Sequence, residues 1–118
     1  MVFLGVVWLV RTPAKPGKFD TFAQCIADSG TTFYGTFWCS NCQNQKAKFG
    51  SSVKLLPYVE CSPKSGKGQL PICTDADIEA YPTWEFPDGS RVKGDISLER
   101  ISEATSCPLV EDLEPTLE

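Results

Sequence analysis

The fold of this chain is decided by one stretch in its first half, Thr31-Thr32-Phe33-Tyr34-Gly35-Thr36-Phe37-Trp38-Cys39-Ser40-Asn41-Cys42. Its first part, residues 31–37, is rich in Thr, Phe and Tyr, which is typical of a β-strand. Good helix formers follow in residues 43–49, and Gly50 is expected to end that helix. The stretch therefore predicts a strand, a pair of cysteines and a helix in direct succession.

Cys39 and Cys42 stand at the predicted junction between this strand and this helix. The unpaired N–H groups and the positive dipole end of a helix N-terminus stabilise a thiolate. Cys42, one helical turn further on, is expected to be more buried and to keep its proton longer. The junction therefore predicts a redox pair in which Cys39 attacks and Cys42 resolves.

Two other interpretations of this cysteine spacing stay open, a purely structural bridge and a zinc site. A bridge over so few residues would restrict the unfolded chain only weakly. Zinc needs four ligands, but the chain has no His and only one further pair at moderate spacing, Cys61 and Cys73. The redox interpretation is favoured over both.

Composition narrows the function classes. The 118 residues are enough for one domain with its own core. The absence of His excludes every Ser-His or Cys-His nucleophile. A net charge of -4 without a basic patch gives no support to nucleic-acid binding. We expect a monomer that needs no cofactor.

Three segments are expected along the chain. Residues 1–18 form an apolar N-terminal segment and linker, residues 19–108 the folded domain, and residues 109–118 an acidic tail. The apolar run over residues 1–10 is shorter than the roughly 20 residues that cross a bilayer as a helix. It is either a truncated membrane anchor or an arm that packs on the domain.

The domain is expected to begin with a helix from Asp20, its capping residue, to Asp28, and to end with a helix that Ser97 caps. Between the helix over residues 43–49 and the last helix, the sequence predicts a strand over residues 56–61, an exposed loop over residues 63–70 and a weak helix over residues 71–80. Two further strands are predicted over residues 81–86 and 91–93.

Three motifs together carry a family resemblance: residues 33–46, the segment Leu56-Pro57-Tyr58-Val59-Glu60-Cys61, and Tyr81-Pro82-Thr83-Trp84. In this order they resemble the thioredoxin-like domain that is fused to, or partners, bacterial and plant vitamin K epoxide reductase homologues. The resemblance covers residues 19–107. It implies an α/β thioredoxin-like fold, with a central mixed sheet of about four strands flanked by helices.

The resemblance also implies roles for three residues near the cysteine pair. Pro82 would be the cis-proline that faces the active disulfide, and the backbone of Tyr81 would be presented to a substrate chain. Trp38 occupies the position where this fold often places an aromatic residue beside the disulfide. Trp38, Tyr81 and Pro82 are therefore the expected substrate-binding residues.

Two features depart from the resembled pattern. Ser40 and Asn41 stand between the cysteines, where the resembled domains more often carry Pro and His. Phe33 stands where thioredoxin proper has a buried acidic residue that assists proton transfer at the second cysteine. General reduction of cytosolic disulfides in the manner of thioredoxin is therefore not favoured.

The remaining four cysteines are expected to form structural disulfides. The resemblance implies a pair between Cys61 and Cys73, worth about 3 kcal/mol, with a second redox relay as the alternative. Cys25 and Cys107 would contribute about 4–5 kcal/mol if the first and last helices are neighbours. Free buried thiols are the alternative for each pair. An even number of cysteines favours an extracytoplasmic compartment, the periplasm or a lumen.

The leading hypothesis is a thiol–disulfide oxidoreductase in extracytoplasmic disulfide formation. Its partners would be protein thiols and disulfides and a quinone-linked membrane reductase of the vitamin K epoxide reductase type. The alternatives are a non-catalytic peptide-binding module, in which Trp38, Tyr81 and Trp84 form a docking face on the same scaffold, and a structural zinc domain.

Overall fold

A computed structural model of the chain describes residues 17–112. The expected apolar segment over residues 1–10, and with it the possible membrane anchor, lies outside these residues. Within them, no helix has the length and apolar character that a membrane span requires.

Four α-helices, one short 3-10 helix and four strands make up the described part of the chain. In chain order they are α1 (Asp20–Asp28), β1 (Thr32–Gly35), α2 (Ser40–Phe49), the 3-10 helix (Gly50–Leu55), β2 (Tyr58–Glu60), α3 (Pro71–Asp75), β3 (Thr83–Glu85), β4 (Arg91–Lys93) and α4 (Leu98–Thr105).

The strands form one mixed sheet in the order β2-β1-β3-β4. β1 runs parallel to β2, whereas β3 is antiparallel to β1 and β4. This confirms the predicted α/β fold with four strands and flanking helices. β1, which leads into the cysteine pair, is a central strand and is therefore held on both edges.

The core lies around Phe33 on β1. Its register places it opposite Tyr58 on β2 and Trp84 on β3. The rings of Phe33 and Trp84 stack with centroids 4.4 Å apart, and Phe22 of α1 stacks on Phe49 of α2 at 5.9 Å. Four of these five rings, all except that of Tyr58, are completely or almost completely buried. The strand before the cysteines and the helix after them therefore share one core.

Asp20 does not cap α1 as predicted, and the 3-10 helix has no counterpart in the prediction. Phe19 occupies the N-cap position without a side-chain hydrogen bond. The Asp20 carboxylate instead accepts hydrogen bonds from the Ser52 hydroxyl at 2.8 Å and the Gly17 N–H at 3.1 Å. Asp20 therefore joins α1 to the 3-10 helix. Ser97 does cap α4, accepting from the Arg100 N–H at 3.1 Å.

Residues 109–112, the first part of the expected acidic tail, lie against the domain. The Asp112 N–H donates to the Lys18 carbonyl at 2.7 Å, and the Asp112 carboxylate accepts from the Thr21 N–H at 3.0 Å. Leu109 packs against the core. A carboxylate at the start of α1 complements the positive end of the helix dipole.

Residues 17–112 contain two disulfides. Cys25 of α1 is bonded to Cys107, which follows α4, and the two residues are 82 positions apart in sequence. Cys61, directly after β2, is bonded to Cys73 of α3, 12 positions later. The second disulfide closes a surface loop that lies beside the remaining two cysteines.

Candidate functional site: the Cys39–Cys42 junction

The two free cysteines, Cys39 and Cys42, lie at the start of α2, shortly after the end of β1. Cys39 is the N-cap residue of α2, with extended backbone angles, and its Sγ accepts a hydrogen bond from the Cys42 N–H at 3.3 Å. Its carbonyl accepts from the Gln43 N–H at 3.0 Å. A side-chain acceptor at this position satisfies one of the N–H groups that a helix start leaves unpaired. The Cys39 sulfur is thereby fixed at the helix N-terminus.

The two thiols have different surroundings. Cys39 is partly exposed, whereas Cys42 is completely buried. Burial raises the pKa of the Cys42 thiol to about 12, assisted by its hydrogen bond with Cys39. The backbone of Thr36 and the positive charge of Lys46 act in the opposite direction on the Cys42 pKa. At neutral pH Cys42 therefore holds its proton in the dithiol form.

Pro82 and Tyr81 face Cys39 from the start of β3. The Tyr81–Pro82 peptide bond is cis. The Tyr81 carbonyl lies 3.6 Å from the Cys39 sulfur and accepts its hydrogen bond. The structure thus brings the backbone of Tyr81 to the partly exposed sulfur.

Two aromatic side chains border Cys39. Trp38 is 49% exposed, and its indole N–H donates to the Ser62 hydroxyl at 3.0 Å. The Tyr81 ring packs edge-on against Trp38 with centroids 5.8 Å apart, and the Tyr81 hydroxyl accepts from the Gln69 amide at 2.8 Å. Ser62 and Gln69 both lie in the loop that the Cys61–Cys73 disulfide closes. That loop therefore orients both aromatic residues beside the sulfur.

Sequence reasoning missed Ser62 and Gln69, together with the exposed Phe37 beside Trp38. No local sequence pattern predicts the contacts of Ser62 and Gln69, because their partners Trp38 and Tyr81 are 24 and 12 positions away in sequence. Trp84, which the peptide-binding alternative placed on a docking face, is completely buried in the core. Its place in such a face is wrong, because the alternation of β3 directs it inward to stack on Phe33.

Gly35, the last residue of β1, allows Cys42 to approach the sheet. A β-carbon on Gly35 would lie only 3.0 Å from the Cys42 sulfur and 3.1 Å from Cε1 of Tyr58. A glycine inside a strand often marks such a close approach. Gly35, inside a predicted strand and directly before the cysteine pair, is therefore the sequence signal for the close approach of Cys42.

The zinc alternative lacks ligands in the described part of the chain. Cys61 and Cys73 are bonded to each other, so their sulfurs are not available as thiolates. Residues 17–112 contain no cluster of three or more His, Cys, Asp or Glu side chains that could hold a metal ion.

Two curated proteins are similar to this chain in sequence. The thiol-disulfide oxidoreductase LTO1 of Arabidopsis thaliana is 44% identical over 91 residues, which cover 74% of this chain and 24% of that protein. Protein disulfide isomerase-like 5-1 of Oryza sativa subsp. japonica is 27% identical over 110 residues, which cover 78% of this chain and 71% of that protein. No family model matches the chain. The fold of the described residues, a four-stranded mixed sheet with flanking helices, is thioredoxin-like.

The thioredoxin-like domain spans about a quarter of the Arabidopsis relative, 24% of its length. The names of both relatives refer to disulfide chemistry. Within residues 17–112, four cysteines form two disulfides, and Cys39 and Cys42 are free thiols.

Proposed function

We propose that this domain is a thiol–disulfide oxidoreductase in which Cys39 exchanges with protein substrates and Cys42 resolves the mixed disulfide. One observation carries the proposal. Cys39 is partly exposed at the N-terminus of α2, and the buried Cys42 lies one turn further along the helix. The Cys42 N–H donates a hydrogen bond to the Cys39 sulfur. The names of the two relatives support the same activity.

The reductive direction has two steps. The Cys39 thiolate attacks one sulfur of a substrate disulfide, forms a mixed disulfide, and releases the other substrate sulfur as a thiolate. Cys42 then attacks the Cys39 sulfur, and the second substrate thiol leaves as the Cys39–Cys42 disulfide forms. In the oxidative direction, a substrate thiolate attacks Cys39 of that disulfide and Cys42 leaves as a thiolate. A second substrate thiolate then attacks the substrate sulfur of the mixed disulfide, so that the substrate disulfide forms and Cys39 leaves as a thiolate. Both directions transfer two electrons between substrate and protein.

Trp38, Tyr81 and Pro82 are proposed to position the substrate chain. The Tyr81 carbonyl next to Cys39 is a backbone acceptor that an extended substrate segment can use when Cys39 is bonded to it. The exposed face of Trp38 offers apolar contact to residues flanking the substrate cysteine.

We place this activity in an extracytoplasmic compartment, the periplasm or a lumen. Four of the six cysteines are disulfide-bonded, and such bonds persist where the surroundings are oxidising. In that setting the electrons taken from substrate proteins need an acceptor. A quinone-linked membrane reductase of the vitamin K epoxide reductase type is the partner proposed for a monomeric domain.

Trapping of mixed disulfides tests the proposal. A Cys42→Ala variant with Cys39 as the free thiol, incubated with a disulfide-containing protein substrate, should accumulate reducible adducts through Cys39, because the thiol that would release the partner is absent. The matched Cys39→Ala variant should accumulate none. Equal trapping by both variants would reverse the assigned roles. Absence of adducts in both, with no insulin reduction by the unaltered chain, would favour a non-catalytic peptide-binding module.

A further inference from the structure

A cation is held beside the buried thiol. The Lys46 ammonium lies 3.8 Å from the centre of the Tyr58 ring, within the range of a cation–π interaction. Lys46 stands four residues after Cys42 on α2, so the two side chains share one face of the helix. The Tyr58 ring reaches that same face from β2.

Tyr58 is itself fixed by Glu60. The Tyr58 hydroxyl donates to one oxygen of the Glu60 carboxylate at 2.8 Å. The other oxygen accepts from the N–H groups of Phe37 and Ser62, both at 3.1 Å. Glu60 is thus tied to the turn before Cys39 and to the loop after β2. Burial, with the hydrogen bond to Glu60, raises the pKa of Tyr58, so its ring stays neutral.

The Tyr58 ring and the Cys42 sulfur are neighbours. Both occupy the space above Gly35, 3.1 and 3.0 Å from the place of its missing β-carbon. Cys39 and Lys46 act on Cys42 from its own helix segment, and Tyr58, which is hydrogen-bonded to Glu60, faces it from β2. Lys46 is the cation among them.

We propose that Lys46 is a positioning residue that stabilises the Cys42 thiolate during resolution of the mixed disulfide. The Lys46 ammonium contacts the Tyr58 ring, and the hydrogen bond from Tyr58 to Glu60 fixes that ring. The role rests on the proposed exchange function. In the mixed disulfide Cys39 carries no charge, so the repulsion it exerts on a Cys42 thiolate disappears while the attraction of Lys46 remains. The Cys42 thiolate then forms the bond to the Cys39 sulfur and expels the substrate sulfur. The proton of Cys42 ends on the released thiol.

The size of the expected effect follows from two opposing trends. Loss of the cation lowers the fraction of Cys42 present as thiolate, but a more basic thiolate is a better nucleophile, with a Brønsted coefficient of about 0.4–0.5. A roughly tenfold loss of thiolate therefore slows resolution by about threefold. The attack by Cys39 should change little, since that step does not use Cys42.

The test uses the reduced dithiol, with both structural disulfides intact, and an aromatic disulfide whose thiol product is coloured. One product is released when Cys39 attacks and a second when Cys42 resolves. In Lys46→Met we expect the first phase to be unchanged and the second to be slowed about threefold. Lys46→Arg should restore the second phase. Lys48→Met is the matched control, because it removes a lysine from the same helix that pairs with Asp95 instead.

A second measurement separates charge from structure. In a Cys39→Ser background, the rate of Cys42 alkylation is followed against pH. Its midpoint should move to higher pH in Lys46→Met and stay in place in Lys48→Met. An unmoved midpoint, or a second phase equally fast in Lys46→Met, would overturn the role of Lys46 while leaving the exchange function intact. Loss of the first phase in the unaltered chain would instead contradict the exchange function.

Discussion

Gln45 accepts a hydrogen bond from the indole N–H of Trp84 at 3.0 Å, and both side chains are completely buried. The same Gln45 oxygen accepts from the Ile96 N–H at 2.8 Å, and the Gln45 amide donates to the Ile96 carbonyl at 3.0 Å. Gln45 lies three residues after Cys42 on α2. The amide therefore fixes the helix that carries the redox pair against β3 and the segment before α4.

Replacement of Gln45 by Leu should cost about 2–5 kcal/mol of unfolding free energy. The variant leaves the completely buried Trp84 indole N–H without a partner, at a cost of about 1–3 kcal/mol, and also removes the partners of two backbone groups of Ile96, which cost less because Ile96 is only partly buried. Urea unfolding of the oxidised protein measures the change. Gln24→Leu is the control, since Gln24 is exposed and pairs with Asp28 on the surface of α1. Equal losses in both variants would contradict the importance of the buried amide.

The two structural disulfides should differ in their contribution to stability. Removal of the Cys25–Cys107 bond by a double substitution to Ser should cost about 4–5 kcal/mol, and removal of Cys61–Cys73 about 3 kcal/mol. The reason is the length of chain that each closes, 82 against 12 positions. Thermal or urea unfolding of both double variants gives the order. The reverse order would show that unfolded-state loop entropy does not set these contributions.

Alkylation of the reduced dithiol should label Cys39 well before Cys42. Cys39 is partly exposed, whereas Cys42 is completely buried and holds its proton at neutral pH. Mass spectrometry of the peptides after a short reaction with iodoacetamide distinguishes the two sites. Earlier labelling of Cys42 would be incompatible with the assigned order of attack.

The dithiol form should lose stability in alkaline solution. The pKa of Cys42 is raised from an ordinary value of 9.0 to about 12 in the folded state. Between these values the unfolded chain has released the proton and the folded chain still holds it, so unfolding free energy falls as pH rises. Below pH 9.0 the effect is absent. Urea unfolding over this range should show a smaller decline for Cys42→Ala, and identical pH profiles would contradict the raised pKa.

Local sequence was sufficient for the elements around Cys39. A β-rich run, an N-cap position and a run of helix formers specify a strand, a turn and a helix within about 20 residues, so β1 and α2 could be predicted together with the greater burial of Cys42. The boundaries were less accurate. β1 ends at Gly35 and α2 begins at Ser40, whereas the sequence extended the strand to Phe37.

The 3-10 helix over residues 50–55 could not be predicted in the same way. Its sequence, Gly-Ser-Ser-Val-Lys-Leu, has no helical periodicity. It is held by contacts with a distant element, through the Ser52 hydroxyl, which donates to Asp20 and accepts from the Phe19 N–H. Because the Asp20 carboxylate accepts the hydrogen bond from Ser52, it does not cap α1 as the sequence predicted.

The sequence by itself determined that Cys39 begins a helix and that Cys42 lies one turn behind it, because helix capping depends on residues within four positions of each other. Tertiary structure alone decided what surrounds the two sulfurs. Parallel pairing of β1 with β2 places Tyr58 and Glu60 beside Cys42, and the loop closed by Cys61 brings Ser62 to Trp38. Such contacts depend on strand order and register, which are set by burial over the whole core rather than by any local run of residues.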